Sequence, residues 1–326
     1  MFKTLLGAAA GLALTASVGV AQEKMRISLQ LPLKSHLGQN LVLFEQEVES
    51  RTGGAIDVEI YDSATLYKDK EVPAAVGSGA IEAGVASLTR YVGDAPVVDV
   101  FYMPFLLNNE DKVRAAVAEG SAVRETIEAE IEKTGGQVLY WQAYGGAIML
   151  SNGGPIRTPS DMEGKKVRVF GKTLGDFVTA AGGAPTLISG SEQYLAYQRG
   201  TVDVGMTGVS GVKSRKLWEV MDTITVTNHA DIEFVVVVNN DWWNGLSDEI
   251  RGHITDAAAV AQASVRDKMA SIEAEAYAAA KENGMTVVEL TDDELEQWKA
   301  VSQPVYDAYL AAAGEAGQKV LTAAGN

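Results

Sequence analysis

From residue 25 the chain alternates. Met25, Ile27, Leu29 and Leu31 are separated by polar or small positions, then Leu37, Leu41, Phe44 and Val48 recur at helical spacing. Gly53 and Gly54 stop the helix, and Ile56, Val58 and Ile60 alternate again. A period of two, then 3.6, then two predicts a βαβ unit, and a crossover helix implies parallel strands. KEVPAAVGSGAIEAGVASL continues with a helix and a short strand, followed by the aromatic, proline-containing VVDVFYMPFLL. A helix over about residues 111–133 leads into the strand QVLYWQAYG.

The segment GGPIRTPSDMEGKKVRV restarts the same grammar. Pro155 and Pro159 mark turns, and Ser160 and Glu163 have the spacing of a capping box over one short helical turn. Next come the strand KKVRVF, a helix over 174–181 closed by Gly182 and Gly183, the strand PTLIS, a helix over 191–199 and the strand VDVGM. This is βαβαβ, so the chain reads as two α/β lobes sharing one hinge region. The first lobe takes residues 24–145 plus about 234–272, the second 146–233 plus about 273–326. The strand-like FVVVVNN at 234–240 precedes a helical segment over about 247–283 that contains no proline and only Gly252. At about 1.5 Å per residue it reaches about 55 Å, longer than one lobe is wide, so it is expected to run across both. It is alanine-rich without a sustained heptad, which argues against a coiled coil. Leu290, Leu295, Trp298, Val301, Val305 and Tyr309 predict a shorter helical tail that packs back.

The N-terminus changes the setting of this picture. Residues 1–21 carry Lys3, an apolar run from Leu5 to about Val20 and the small residues Gly19 and Ala21 before Gln22, the pattern of a secretory signal peptide. An anchor is the rival reading, but the run is short for a span that needs about 20 apolar residues. The mature chain is therefore expected to be exported and soluble. With no cysteine, burial rather than disulfides must hold it together, and thiol chemistry is excluded. Asp and Glu outnumber Lys and Arg by 43 to 27, for a formal charge of −16, which opposes binding to nucleic acid or anionic lipid. An anionic ligand would need local positive charge in a cleft.

Catalytic constellations are missing. His36, His229 and His253 lie far apart with no metal-site spacing, GSGAIEAG at 77–84 is not a dinucleotide fingerprint, and no phosphate loop occurs. Ser189 and Glu192 have capping-box spacing rather than a nucleophile motif, although their helix start follows a strand's carboxyl end, where open α/β sheets place ligands. Arg168 lies close to the carboxyl end of the first strand of the second unit. It is either a surface or salt-bridged charge or an anchor for a carboxylate or sulfonate, to which a planar guanidinium fork is suited. Trp141, Tyr144 and Phe170 sit near strand ends in the same region, as core or as cleft wall. Asp231 and Glu233, just after Asn228 and His229, form a solvated turn or pair with a cationic or hydroxyl group on a ligand.

The order of MPFLL, PIRTPSDMEGKKVRV, SEQYLAYQRGTVDVG, TNH at 227–229 and NNDWWNGLSDEIR resembles the substrate-binding proteins of tripartite ATP-independent periplasmic (TRAP) transporters, of the C4-dicarboxylate-binding type. The resemblance implies an α/β fold of the two-lobed periplasmic binding protein kind, a class II-like clamp with a long helix spanning both lobes. It implies no enzyme, no cofactor and no metal. The chain would be a periplasmic monomer that closes on a small organic anion and delivers it to TRAP membrane permease subunits driven by an ion gradient. The family's carboxylate-pairing arginine falls on Arg168. A second family arginine falls on Ala147 and is missing, an asparagine falls near Thr207, and an aromatic falls on Gly190, so the pocket is expected to be less cationic and roomier. Ser87 and Gln30 are expected polar wall positions, and Asn228 of TNH joins the candidates. The missing arginine leaves room for a zwitterionic or cationic ligand. A receptor of an ATP-driven importer or of a sensor is the alternative with the same clamp.

Overall fold

The computed structural model describes residues 22–325, so the signal-peptide expectation for residues 1–21 lies outside the described residues. The opening alternation becomes β1 (Glu23–Ser28), α1 (His36–Arg51) and β2 (Ile56–Tyr61). β1 and β2 run parallel, with Glu23 opposite Ile56 and Ser28 opposite Tyr61. Ser35 caps α1 by accepting from the Gly38 N–H, and the helix buries Leu37, Leu41, Phe44 and Val48 against the sheet. α2 (Val72–Gly77) and β3 (Ala83–Ser87) follow, then a 3-10 turn at Pro96–Tyr102. The single helix expected over 111–133 is two, α3 (Glu110–Val117) and α4 (Ala122–Glu132). Gly120 stands at φ +77, where a helix cannot continue, and Ser121 starts the second helix by accepting from the Arg124 N–H.

β4 (Gly136–Ser151) is much longer than the strand read from the sequence. After it come β5 (Lys166–Val169), α5 (Lys172–Ala180), β6 (Ala184–Leu187), α6 (Gln193–Gln198), β7 (Val204–Gly208), α7 (Val209–Arg215) and β8 (Thr223–Val226). β5 pairs parallel with both β6 and β7, the βαβαβ unit expected. The capping box expected at Ser160 and Glu163 is displaced. Asp161 is the residue whose carboxylate accepts from the Thr158 and Arg157 N–H groups, at 2.8 and 3.0 Å. The chain closes with β9 (Asp231–Asn239), α8 (Asn240–Gly245), α9 (Asp248–Glu282), β10 (Thr286–Glu289), α10 (Asp292–Ala300) and α11 (Gln303–Gly325).

The strand order is β2-β1-β3-β9-β4-β7-β5-β6, with β8 bridging β4 and β10. β4 carries the chain from one lobe to the other. Its residues 136–146 pair antiparallel with β9, whereas 147–151 pair with β7. The crossing is irregular, with register shifts between Val138 and Tyr140 and between Ala143 and Gly145. Gly145 stands at φ +97, and a Cβ there would lie 2.2 Å from Glu273 Oε1. Glycine is thus required by conformation and by space, because the Glu273 carboxylate reaches in to accept from the Gly146 N–H at 3.0 Å.

α9 spans 35 residues, about 52 Å of helix, and packs against α1 and α7, one from each lobe. Ser247 caps it by accepting from the Ile250 N–H. Of the final segment, β10 pairs with β8, and Trp298 of α10 donates to the Arg157 carbonyl, so these stay with the second lobe. α11 lies against the 96–102 turn and α4 as well as α5, and its Tyr309 hydroxyl donates to the Val97 carbonyl. It thereby packs on elements of both lobes. Among the described residues no helix is long and apolar enough to cross a membrane.

Candidate functional site

The carboxyl ends of β1, β3, β5 and β7 converge on a cavity between the lobes, the location expected of open α/β sheets. Gln30 comes from just beyond β1, Ser87 from the end of β3, Arg168 from β5, Phe170 from just beyond it and Thr207 from β7. Tyr144 of β4 closes another side. The space between these walls is about 310 Å³, open solvent at its mouth included. Side chains of the two lobes meet around it, so the clamp is close to shut. A larger hollow between α1, α7 and α9 is lined by Lys34, Lys213 and Lys268, but no guanidinium group lines it.

Arg168 is 3% exposed, which removes the surface-charge reading. Its Nε donates to the Ile188 carbonyl at 3.0 Å and its Nη1 to the Met206 carbonyl, and the guanidinium lies 5.3 Å over the Phe170 ring. These contacts fix the fork without neutralising it. Among the described residues no carboxylate lies within 4.0 Å of it, so the salt-bridge reading falls too. Burial pushes its pKa down to about 10; the tyrosines 197 and 144 act against that fall, and the charges of Arg215 and Arg90 add to it. A guanidinium in this state gains from an incoming anion, which supplies the missing countercharge.

Two more arginines, unforeseen from the sequence, line the same cavity. Arg215, at the end of α7, donates from Nη1 to the Tyr144 hydroxyl at 3.1 Å and has no carboxylate partner among the described residues. Arg90 pairs with Asp69 at 2.5 Å, and Asp69 also accepts from the Ser87 N–H and hydroxyl. Three guanidinium groups against one carboxylate leave the lining with an excess of positive charge. The absence of an arginine at Ala147 does not leave Arg168 alone: Arg90 and Arg215 line the same cavity. The room expected at Gly190 is also filled, since a Cβ there would lie 2.6 Å from Arg215 Nη2 and 2.8 Å from Gln30 Oε1.

Of the residues named from the sequence, the cavity brings together Arg168, Tyr144, Phe170, Thr207, Ser87 and Gln30. It does not bring in Trp141, Asn228 or Asp231. Trp141 is fully buried behind the sheet, packed on Phe101 and donating from Nε1 to Glu128 at 2.7 Å. On β9 it is Ile232 and Phe234 that face the cavity, so period-two alternation turns 231 and 233 away. Glu233 is fully buried and holds Arg266 of α9 through two bonds of 2.6 and 2.8 Å. Asn228 and Asp231 line a separate hollow with Glu110 and Glu273, beside the Gly145–Gly146 crossing. His36 is buried, its Nε2 facing the Ala143 carbonyl at 3.1 Å and its ring against Tyr144; burial pulls its pKa to about 4, so it is neutral. Among the described residues no group of three His, Cys, Asp or Glu side chains is placed to hold a metal ion.

The lobes meet at the rim and at depth. Lys68 and Glu192 form an ion pair across the mouth at 2.8 Å, and deeper the Thr173 hydroxyl donates to Asp99 at 2.5 Å. The rim pair is about half exposed, so screening keeps its worth under about 1 kcal/mol. Lys68→Ala is therefore expected to weaken ligand affinity less than about fivefold at low salt, with the difference vanishing near 0.5 M salt. Calorimetry at two ionic strengths checks this.

A two-lobed α/β clamp, shut around a buried cationic cavity and spanned by one long helix, defines an extracytoplasmic solute receptor. The family described as bacterial extracellular solute-binding protein, family 7, matches residues 27–312, and this chain belongs to it. A C4-dicarboxylate-binding periplasmic protein of Rhodobacter capsulatus is 32% identical over 274 residues, which cover 83% of this chain and 81% of that one. Among solved structures, a Bordetella pertussis extracytoplasmic solute receptor binding pyroglutamic acid superposes with TM-score 0.88 at 20% identity, over 93% of this chain and 99% of its own. A TRAP periplasmic solute-binding protein of Shewanella oneidensis with bound succinate gives TM-score 0.87 at 25% identity, over 94% and 99%. Proteins of this family are receptors, not enzymes.

Proposed function

We propose that this protein is the periplasmic receptor of a TRAP transporter, binding a small organic anion between its lobes and handing it to an ion-gradient-driven permease. The observation that carries this reading is Arg168: buried, held rigid by backbone carbonyls and, among the described residues, without a counter-carboxylate. Arg215 supplies a second unpaired guanidinium, and Tyr144, Phe170, Thr207, Ser87 and Gln30 complete the contact surface. A carboxylate at Arg168, on the second lobe, restores charge balance, and Gln30 and Ser87, on the first, reach the same ligand only when the lobes shut. That differential contact is how ligand drives closure and how closure reports loading to a permease. The small volume suits an acid of the size of succinate or pyroglutamate, the ligands named for two relatives of the same fold. A purely cationic ligand is disfavoured, because the one carboxylate in the lining already accepts from Ser87 and Arg90.

The mature chain, unfolded and refolded to strip co-purified ligand, is to be screened by thermal shift and calorimetry against organic acids, sulfonates, neutral sugars and amines. A ligand at about 100 times its Kd adds about 2.7 kcal/mol of stability. Stabilisation by organic anions alone is expected; stabilisation by amines or sugars alone would overturn the reading. Reconstituted uptake should follow a sodium gradient, and dependence on ATP would place the receptor with another class of importer.

A further inference from the structure

The space at Gly190 is occupied by two groups that have no other reason to meet. Residue 190 does not adopt a positive φ, so its backbone would accept any side chain; what excludes one is contact with the Arg215 and Gln30 side chains. A second glycine does the same from the other flank. A Cβ on Gly211 of α7 would stand 2.4 Å from the Tyr144 hydroxyl and 2.9 Å from both Arg215 Nη1 and Thr207 Oγ1. Two glycines thus clear the path by which Arg215 enters the cleft, and Tyr144 holds the guanidinium there. At the same place Gln30 Oε1 is buried with no donor, and Gln193 Oε1, also in the lining, is likewise unmet. The positive charge of Arg215 favours the orientation of the Gln30 amide that turns its oxygen to the cleft. Among the described residues no donor reaches these two oxygens, although guanidinium groups line the same cavity, and a buried acceptor left unmet is costly.

We propose that Gly190, Gln30 and Arg215 form a specificity subsite that selects organic acids carrying, besides the carboxylate held by Arg168, a group that both accepts and donates a hydrogen bond. A hydroxyl or a lactam meets this requirement, accepting from Arg215 and donating to Gln30 Oε1. An unsubstituted dicarboxylate offers acceptors only. The proposal rests on the organic-anion reading above and deepens it.

Calorimetry on the mature chain with matched probes tests it: malate against succinate, and pyroglutamate against cyclopentanecarboxylate. The wild type is expected to bind the donor-bearing member of at least one pair about tenfold more tightly, the effect of one satisfied buried acceptor. Gln30→Leu should bring that ratio close to one, through weaker binding of the donor-bearing member. Gly190→Ala should do the same, and because the atoms its methyl meets are ends of flexible side chains, an unchanged thermal transition without ligand is expected alongside. Equal affinities within both pairs, or a ratio that survives Gln30→Leu, overturn the subsite. If these anions bind and Arg168→Ala abolishes their binding while the ratios are flat, the subsite alone fails. If no organic anion binds the wild type, both readings fail.

Discussion

Arg168→Ala is expected to abolish ligand binding measurable by calorimetry while both lobes stay folded. Removing one member of a desolvated charge pair costs about 2–5 kcal/mol, or about 30-fold to several thousand-fold in affinity. The ligand would then face a cavity that still holds Arg215 and Arg90, but neither is placed as Arg168 is, fixed by the Ile188 and Met206 carbonyls over the Phe170 ring. Lysine is not an adequate substitute, because a single ammonium cannot hold these carbonyls and present a planar fork to a carboxylate. The stability readout separates this role from a structural one. A buried guanidinium without countercharge strains the empty protein, as its lowered pKa of about 10 reflects. Arg168→Met, which keeps most of the volume, should therefore leave the thermal transition of the empty protein unchanged or higher. Retained affinity would remove Arg168 from the anchor role; a collapse of the empty protein would make it structural instead.

Arg168 was legible because it combines a position near a strand's carboxyl end with a local motif, and Ser87, Phe170 and Thr207 share the first of those signals. The residues that sequence reading misplaced were lost to parity. Phe234 faces the cleft, so Asp231 and Glu233, at odd offsets, face α9; counting along β9 would have turned them away. Trp141 and Tyr144 are three apart on one strand, so in regular geometry they point to opposite faces, and the bulge after Ala143 makes the count harder still. Arg90 and Arg215 carried no such signal. One sits on a 3-10 turn and the other at a helix end, where no periodicity indicates direction. What sends Arg215 inward is the absence of side chains at 190 and 211, and a glycine in a sequence does not show what fills its space. The long helix was read almost to the residue, since Ser247 and the unbroken alanine-rich run are local features. The split between α3 and α4 was missed because Gly120 and Ser121 interrupt a pattern whose apolar spacing continues across them.

Arg266→Met is expected to be the most destabilising single change behind the cleft, by about 3–5 kcal/mol, or on the order of 10 °C in Tm for a protein of this size. Glu233 is fully buried and its only ion-pair partner among the described residues is Arg266. Without the guanidinium, a carboxylate would be left uncompensated next to Asp231, whose own pKa burial and the Glu233 charge already raise well above the usual carboxylate range. The sign of the pH dependence follows. A carboxyl group whose folded pKa lies above its unfolded value contributes its stability fully below the unfolded pKa and loses it as pH rises through the folded pKa. Asp231 behaves this way in the wild type, and removing Arg266 takes away the positive charge that opposes the rise. The deficit of the variant should therefore be largest at neutral and alkaline pH and narrow on acidification towards the ordinary carboxylate range. Glu233→Gln combined with Arg266→Met should recover most of the loss, since a neutral pair has no stranded charge. Chemical denaturation across pH checks both statements, and a deficit equal at every pH would assign the effect to lost packing of the arginine stem. Ile232 and Phe234 lie on the opposite face of the same strand, so a shift of β9 away from α9 would move the cleft wall. Ligand affinity in the single variant should consequently fall even under conditions where it remains folded, and return in the double variant.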